Sequence, residues 1–432
     1  MNRKADLFEI IKCSDYCEKV ADGTHDSPKA TESGKLLVTS KNIKNSRLTL
    51  ETAYFISLKD FDEINKRSKV DKWDLLLTMI GTVGEVCVVL DESPDFAIKN
   101  VGLLKTSNEL KSKWLYYYLR SSEGKQALNE RQKGTTQAYL ALGEIRNLPI
   151  PIYKDSSLTY KAVKILDSLD KKIDLLNEIN QTLESIAQAI FKSWFADFDP
   201  VHAKQQGVEC TGIDKATADL FPNSFVESEL GLIPKDWEVK SLDEIATYLN
   251  GLALQKFPPK NNEWLPVIKI AQLRKGDADG ADKAGAYIKS EYIIKDGDVL
   301  FSWSGTLEVE IWCGGLGALN QHLFKVSSKN YSKWFYYYWT KYHLEAFRQI
   351  AAGKATTMGH IQRAHLKEAK VLIPPDNLLD AMNHIFSPLV SKIISNAVEA
   401  KTLGLTRDTL LPRLISGKLD LSNIEEELEG VA

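Results

Sequence analysis

The chain is 432 residues long, with 44% hydrophobic and 26% charged residues and a formal net charge of −3. That length accommodates two or three domains, and the composition lies in the ordinary globular range, which excludes a fibrous or disordered chain. No run of 18 apolar residues suits a membrane span, and Met1-Asn2-Arg3-Lys4-Ala5-Asp6 lacks the apolar stretch of a signal peptide. Cys13, Cys17, Cys87, Cys210 and Cys313 form no Cys-x-x-Cys pair, so a reducing, cytoplasmic setting is expected.

The net charge hides a local pattern. Residues 1–154 hold 24 Lys+Arg against 21 Asp+Glu, and residues 236–375 hold 18 against 15, so each stretch is +3. Residues 376–432 hold 5 against 9, with Asp420, Glu425, Glu426, Glu427 and Glu429 near the end. A phosphate feels charge only within about 8–10 Å, so these mildly basic stretches permit nucleic-acid contact without demanding it.

In chain order, residues 1–155 read as a first mixed α/β domain, strands first and helix later. Asp22-Gly23 is turn chemistry, and Leu36-Leu37-Val38-Thr39-Ser40 is a short β-rich run. Asp74 to Ile80, closed by Gly81, predicts a buried strand, and Glu85 to Leu90 another. Apolar residues at helical spacing predict one helix from Lys113 to Leu128. Residues 156–200 follow as a central spacer helix whose seam is Leu166, Leu169, Ile173, Leu176, Asn180, Leu183, Ala187, Ile190 and Trp194. Residues 201–235, rich in Gly, Asp, Glu and Pro, read as a linker with short apolar anchors such as Leu220-Phe221-Pro222. Residues 236–375 form the second domain. Residues 376–418 form a C-terminal spacer helix with Phe386, Leu389, Ile393, Asn396, Ala400, Leu403, Arg407, Leu410 and Leu414 on its seam, and residues 419–432 an acidic tail. Ser387-Pro388 reads as an N-cap followed by proline at a first helical position, so a fresh helix start is expected there. The two long helices are expected to pack on each other, since lone amphipathic helices are marginal in water; docking of each on its own domain is the alternative.

The second half echoes the first. Lys113-Trp114-Leu115-Tyr116-Tyr117-Tyr118 returns as Lys333-Trp334-Phe335-Tyr336-Tyr337-Tyr338, an offset of 220 (333 minus 113). Residues 73–82 answer to 297–306, Gly134-Thr135-Thr136 answers to Gly353 with Thr356-Thr357, and Ile150-Pro151 answers to Ile373-Pro374. Solenoid repeats have periods of only about 20–50 residues, so this is a duplicated domain with its helix. The aromatic helices are expected in the core rather than as base-stacking surfaces.

Catalytic patterns are missing. Gly353-Lys354 with Thr356 lacks the upstream glycine of a phosphate loop, and Gly314-Gly315-Leu316-Gly317 reads as a turn. No histidines stand at metal-ligand spacing beyond the weak pair His360 and His365. Pro94-Asp95 with Lys99 lacks the intervening acid of a nuclease, and no Asn/Asp-Pro-Pro-aromatic motif exists for methyl transfer. Recognition chemistry remains. Thr39-Ser40-Lys41-Asn42 and Lys269-Ile270-Ala271-Gln272-Leu273-Arg274 put hydroxyl, amide and cationic groups at equivalent strand ends, and such groups pair with base edges and phosphates. Gly134-Thr135-Thr136-Gln137 offers backbone N–H groups and hydroxyls for a phosphate, or a plain helix cap.

Val20-Ala21-Asp22-Gly23-Thr24-His25-Asp26-Ser27-Pro28, Gly134 to Gln137, Ile190-Phe191-Lys192-Ser193-Trp194-Phe195-Ala196-Asp197-Phe198-Asp199-Pro200 and Leu410-Leu411-Pro412-Arg413-Leu414-Ile415-Ser416-Gly417, taken in that order, resemble the specificity subunits of type I restriction–modification systems over almost the whole chain. The resemblance implies a mixed α/β (α+β) fold with pseudo-twofold internal duplication, in which two target-recognition domains sit on an antiparallel coiled-coil spacer. Each domain would read one half of an interrupted, bipartite site in double-stranded DNA. The implied partners are two modification (methyltransferase) subunits, which bind S-adenosylmethionine and methylate adenine, and restriction subunits, which translocate and cut with ATP and Mg²⁺. This chain itself is expected to bind no cofactor or metal and to catalyse nothing.

The candidate DNA-binding residues are Thr24, His25, Ser40, Lys41, Asn42, Thr82, Thr135, Thr136 and Gln137 in the first domain. In the second they are Lys269, Gln272, Arg274, Ser304, Thr306, Thr356 and Thr357. The candidate spacer and partner interface is Leu169, Ile173, Leu176, Asn180, Leu183, Ile190, Leu389, Ile393, Asn396, Leu403 and Leu410, with the two asparagines as polar breaks that set register. The second domain departs from the first in reading Asn250-Gly251-Leu252-Ala253 for Asp22-Gly23-Thr24-His25, and in lacking a glutamine after Thr356-Thr357. The seam from Leu166 to Trp194 is about 29 residues, roughly 43 Å at ~1.5 Å per residue. One duplex turn is ~34–36 Å, so the helices are expected to act as a ruler between half-sites and as the docking face for modification subunits. The alternative is a pseudo-symmetric protein–protein scaffold without sequence reading.

Overall fold

The structure, a computed structural model, describes residues 7–106, 108–134, 138–260, 262–353 and 359–421. The chain divides into two compact units, Met1–Lys172 with Leu403–Ala432, and Ile173–Thr402. The first unit contains β1 (Phe8–Lys12), β2 (Lys19–Asp22), β3 (Lys35–Val38), β4 (Ile43–Lys44), β5 (Arg47–Leu48) and β6 (Tyr54–Ile56). It continues with β7 (Leu75–Thr78), β8 (Val86–Val88), β9 (Phe96–Ile98), β10 (Val101–Lys105) and β11 (Pro149–Tyr153). The second unit contains β12 (Phe225–Ser228), β13 (Gly231–Pro234), β14 (Glu238–Ser241), β15 (Thr247–Asn250), β16 (Trp264–Ile268) and β17 (Lys283–Gly285). It ends with β18 (Ile293–Ile294), β19 (Val299–Ser302), β20 (Val309–Ile311), β21 (Gly317–Leu319), β22 (Leu323–Ser327) and β23 (Lys370–Ile373).

The two units share the strand order of their main sheets. The antiparallel sheet β2-β10-β7-β8 is matched by β15-β22-β19-β20, and β6-β3-β9 by β17-β16-β21-β18. Within the second pair of sheets, β3 runs parallel to β9 and β16 parallel to β21. The antiparallel pair β1-β11 is matched by β14-β23. The central strands show why the sequence reads as uninterrupted apolar runs there. Leu75 and Leu77 face one core while Leu76 faces another, and Val299 and Phe301 likewise oppose Leu300. A strand covered on both faces has no polar side to alternate.

The aromatic helices lie in the core as expected. Trp114, Leu115, Tyr117 and Tyr118 are buried, as are Trp334, Phe335, Tyr337 and Tyr338. Trp114 Nε1–H donates to the Pro151 carbonyl at 2.8 Å and the Tyr118 hydroxyl donates to the Pro149 carbonyl at 2.7 Å, which ties the Ile-Pro exit to this helix. The single helix expected from Lys113 to Leu128 is instead two, Glu109–Arg120 and Ser122–Asn129. Ser121 breaks it: its hydroxyl donates to the Tyr118 carbonyl and accepts from Gly124 N–H. A Cβ on Gly124 would stand 2.0 Å from the Tyr118 carbonyl oxygen, so only glycine fits the joint. The order of strands first and helix later also needs correction, since helix Leu58–Ser68 lies between β6 and β7.

The long helices span Ser156–Phe195 and Asp376–Ile415. The second passes unbroken through Ser387-Pro388, against the expected fresh start. A helix-interior proline costs one hydrogen bond, about 3 kcal/mol. Buried Phe386 and Val390, packed on either side, hold the helix together at that point. In the first unit the early turns of the first helix (Ala162, Val163, Leu166) pack on the last turns of the second (Leu411, Leu414, Ile415). In the second unit Ala187, Phe191 and Trp194 pack with Leu378, Met382, Phe386 and Val390. Opposite ends therefore meet within each unit, an antiparallel arrangement, and both helices also join the core of the domain beside them.

Of the candidate spacer and partner interface residues, Leu176 and Asn396 are buried, as are Leu166, Ala187, Trp194, Phe386, Ala400 and Leu414 elsewhere on the seam. Leu169, Ile173, Asn180, Leu183, Ile190, Leu389, Ile393, Leu403 and Leu410 are half-buried. Asn396 Nδ2 donates to Asn180 Oδ1, and Asn180 Nδ2 donates to the Ile393 carbonyl, both at 2.9 Å. Residues between the first long helix and β14 are more ordered than a linker. They form helices Asp199–Gln206 and Lys215–Leu220 and the hairpin β12-β13, and they bury Val201, Phe221 and Ile233 in the core.

Candidate nucleic-acid interface

In the first unit, four connections meet at one end of the two sheets. Gly23 and Thr24 leave β2 and run alongside the β9–β10 link: Gly23 N–H donates to the Val101 carbonyl, Thr24 N–H to the Ile98 carbonyl, and Asn100 N–H back to the Thr24 carbonyl. Lys99 N–H donates to the Val38 carbonyl, so the turn that follows β3 reaches the same place. Ser40, Lys41 and Asn42 from that turn, Gly81 and Thr82 from the loop after β7, and Lys99 and Asn100 line a cleft of about 870 Å³. Around its edge the Arg67 guanidinium donates to the Gly23 carbonyl at 2.7 Å and pairs with the Asp22 carboxylate at 3.1 Å. His25 Nε2 lies 3.0 Å from Asp22 Oδ2, and Nδ1 lies 2.9 Å from Asn100 Oδ1.

The second unit repeats that backbone. Gly251 N–H donates to the Leu323 carbonyl, Leu252 N–H to the Leu319 carbonyl, Gln321 N–H to the Leu252 carbonyl, and Asn320 N–H to the Ile268 carbonyl. These correspond one for one with the bonds of the first unit, except that His322 is an added residue between Gln321 and Leu323. A Cβ on Gly23 would stand 2.2 Å from the Ile98 carbonyl oxygen and one on Gly251 2.2 Å from that of Asn320, so both turns require glycine. The Asn250-Gly251-Leu252-Ala253 segment is thus the backbone equivalent of Asp22-Gly23-Thr24-His25, although its side chains differ. Trp303 Nε1–H donates to Asn250 Oδ1 at 3.0 Å, and His322 Nδ1 lies 2.9 Å from Ser304 Oγ.

The residues expected from sequence divide by what their side chains are already doing. Thr24, His25, Ser40, Lys41 and Thr82 come together at the first strand end, with His25, Lys41 and Thr82 exposed. Asn42 does not belong with them as a base reader. It is 2% exposed, its Oδ1 accepts from Thr39 N–H (2.8 Å) and Thr39 Oγ1 (3.0 Å), and its Nδ2 donates to Thr49 and Thr52. Gln272, at the equivalent position, caps Lys269 N–H at 3.3 Å, and Lys269 Nζ pairs with Asp282 at 2.5 Å. Arg274 lies elsewhere, in a second cleft with Ile173, Asn177, Ile393 and Lys401. Ser304 is 3% exposed and engaged with His322, whereas Thr306 is exposed. Thr135, Thr136, Gln137, Thr356 and Thr357 lie outside the described residues.

Residues missed from sequence include Arg67, Lys99 and Asn100, and Lys44 and Asn45 at the tip of hairpin β4-β5, which also line the first cleft. The hairpin had a signal, since Asn-Ser between Ile43-Lys44 and Arg47-Leu48 is two-residue turn chemistry. At the far end of each central sheet an equivalent aspartate pairs with a lysine from a different strand position, Asp74 with Lys105 (2.6 Å) and Asp298 with Lys325 (2.8 Å). Burial pushes the Asp74 carboxyl above its ordinary range against the pull of Lys105. This pair is framework, remote from the strand-end cleft. Among the described residues no group of three or more His, Cys, Asp or Glu could hold a metal ion, and no helix is long and apolar enough to cross a membrane.

A duplicated mixed α/β unit, built on paired helices and gathering different polar side chains on one repeated backbone, defines a two-module binding protein. The type I restriction modification DNA specificity domain matches residues 6–185 and 234–401, covering both modules. The type I restriction enzyme MjaIX specificity subunit of Methanocaldococcus jannaschii is 26% identical over 364 residues, spanning 82% of this chain and 79% of that protein. The HindI specificity subunit of Haemophilus influenzae is 26% identical over 320 residues, 61% of this chain and 68% of that one. The crystal structure of a type I restriction–modification S subunit from M. genitalium shares the fold, with a TM-score of 0.54, 14% identity, and coverage of 94% of this chain and 96% of that one. The chain belongs to the family of type I restriction–modification DNA specificity domains.

Proposed function

We propose that this chain is the sequence-reading, non-catalytic subunit of a type I restriction–modification assembly in the cytoplasm. Each module takes one half of an interrupted site in double-stranded DNA through its strand-end loops. The observation that carries this reading is the match of both modules to a DNA specificity family. The two strand ends support it, because one backbone presents different side chains, as two different half-sites require. The long helices set the distance between half-sites and offer their half-buried seam to two modification subunits. S-adenosylmethionine, ATP and Mg²⁺ belong to the modification and restriction subunits, and this chain holds none of them.

Methylation mapping in a host that carries this chain with a modification partner tests the reading: a split motif is expected, and no motif at all overturns it. A matched helical-turn insertion beside Asn180 and Asn396 should lengthen the gap within that motif, and an unchanged gap sinks the ruler. The rival scaffold reading is separated by binding across a salt series, where a sequence reader keeps a large specific-over-nonspecific ratio and a scaffold attaches only weakly and salt-sensitively.

A further inference from the structure

The hairpin β4-β5 turns through Asn45 and Ser46, whose φ values of 51° and 61° are both left-handed, as a type I′ turn requires. Lys44, Asn45 and Arg47 are exposed, while Ile43 is 1% exposed and roots the hairpin in a core. The root is stiff. Thr49 N–H donates to the Asn42 carbonyl at 2.8 Å, and the buried Asn42 amide bonds on to Thr49 and Thr52. Ser46 N–H reaches the Glu85 carboxylate at 3.4 Å. The tip therefore stands at the mouth of the strand-end cleft beside Lys41 and Thr82.

We propose that Asn45 is a base-reading residue of the first module, carried by this hairpin into the DNA major groove, with Lys41 and Lys44 on the flanking phosphates. The inference rests on the DNA-reading function proposed above and adds the residue and the base class. A major groove about 12 Å wide admits a two-stranded β-ribbon, and an exposed asparagine amide pairs bidentately with the N6 and N7 edge of adenine. The burial of Asn42 supports the assignment, because it leaves Asn45 as the exposed amide of this segment. Among the described residues the second module has no such hairpin at this place. At the matching place it has helix Ile270–Lys275 and a turn in which Lys275 is paired with Asp277 and Asp279.

Asparagine also suits a left-handed turn for purely conformational reasons. Asn45→Gly separates the two roles, since glycine keeps the turn and removes the amide. In a host carrying the full chain and its modification partner, N45G should melt at the wild-type temperature. It should relax the methylated motif at one position of one half-site, lowering discrimination there by roughly tenfold to a hundredfold. The other half-site stays as it was. Lys44→Gln should weaken specific and random DNA alike and reduce the log–log salt slope by about one. A motif from N45G identical to wild type, with undiminished discrimination, overturns the assignment of Asn45. A wild-type chain that directs no motif overturns the underlying DNA-reading function instead.

Discussion

At its strand end the first module carries a cationic hairpin and a cleft rimmed by Lys41, Lys44 and Lys99, whereas the second carries an acid-bearing turn and the Trp303, Ser304 and His322 cluster. Yet the main-chain hydrogen bonds under these surfaces correspond one for one. The difference teaches that the frame is held by backbone groups and two glycines, so side chains at the end are free to diverge. Backbone donors and acceptors must be paired wherever they are buried, and here the pairing is independent of what the side chains read.

The comparison can be broken hardest at Asn42. Asn42→Ala leaves Thr39 N–H, Thr39 Oγ1 and the Thr49 carbonyl without their partner, a loss of about 2–4 kcal/mol for the first module. Gln272→Ala, which removes only a cap near the surface, should cost under about 1 kcal/mol. Equal losses in chemical denaturation would mean that the two turns are built alike after all. Next come Gly23→Ala and Gly251→Ala. Each forces a methyl group onto a backbone carbonyl, and each should cost about 1–3 kcal/mol in its own module. A marked inequality between the two would contradict the shared frame.

The smallest expected effect lies at the joint between the paired helices of each module. Ser121 makes that joint in the first, while in the second it is His343, whose Nε2 lies 2.7 Å from the Lys370 carbonyl. Burial lowers the His343 pKa below its ordinary 6.5, with the Lys370 carbonyl pulling the other way. A folded-state pKa below the unfolded value favours the neutral ring. Its contribution is whole above pH ~6.5 and is lost as pH falls through the folded pKa. Melting temperatures measured from pH 7 to pH 5 should therefore drop more for wild type than for His343→Asn. Parallel curves would remove histidine from the account.

Much of the architecture was legible because it is written in apolar periodicity. The Leu75-Leu76-Leu77 strand, the two Lys-Trp-aromatic helices and the heptad seam were readable for that reason, and the repeat doubled each signal. Polar residues were harder. Asn42 and Gln272 look like base readers in sequence, and only their spacing, three residues after Thr39 and Lys269, hints that they cap a turn. Side-chain amides serve caps and bases with the same atoms, so burial decides and burial is not written locally. The Ser387-Pro388 start failed for a related reason. A local stop signal worth a few kcal/mol was overridden by Phe386 and Val390, whose partners are distant in sequence. The linker was misread because three of its scattered apolar residues, Val201, Phe221 and Ile233, are buried in one core.

The division of the long helices between the units has a consequence in time. The second unit is one continuous stretch of chain, Ile173–Thr402, while the first needs Leu403 onward to be complete. Tyr153 donates to the Leu414 carbonyl at 2.6 Å, and Arg407 Nη1 meets Asp170 Oδ1 at 2.6 Å. During synthesis the first module emerges ahead of the second but lacks its last helical turns until Leu403 to Ile415 have left the ribosome, while the later module can close before it. The module made first is therefore the last to be finished.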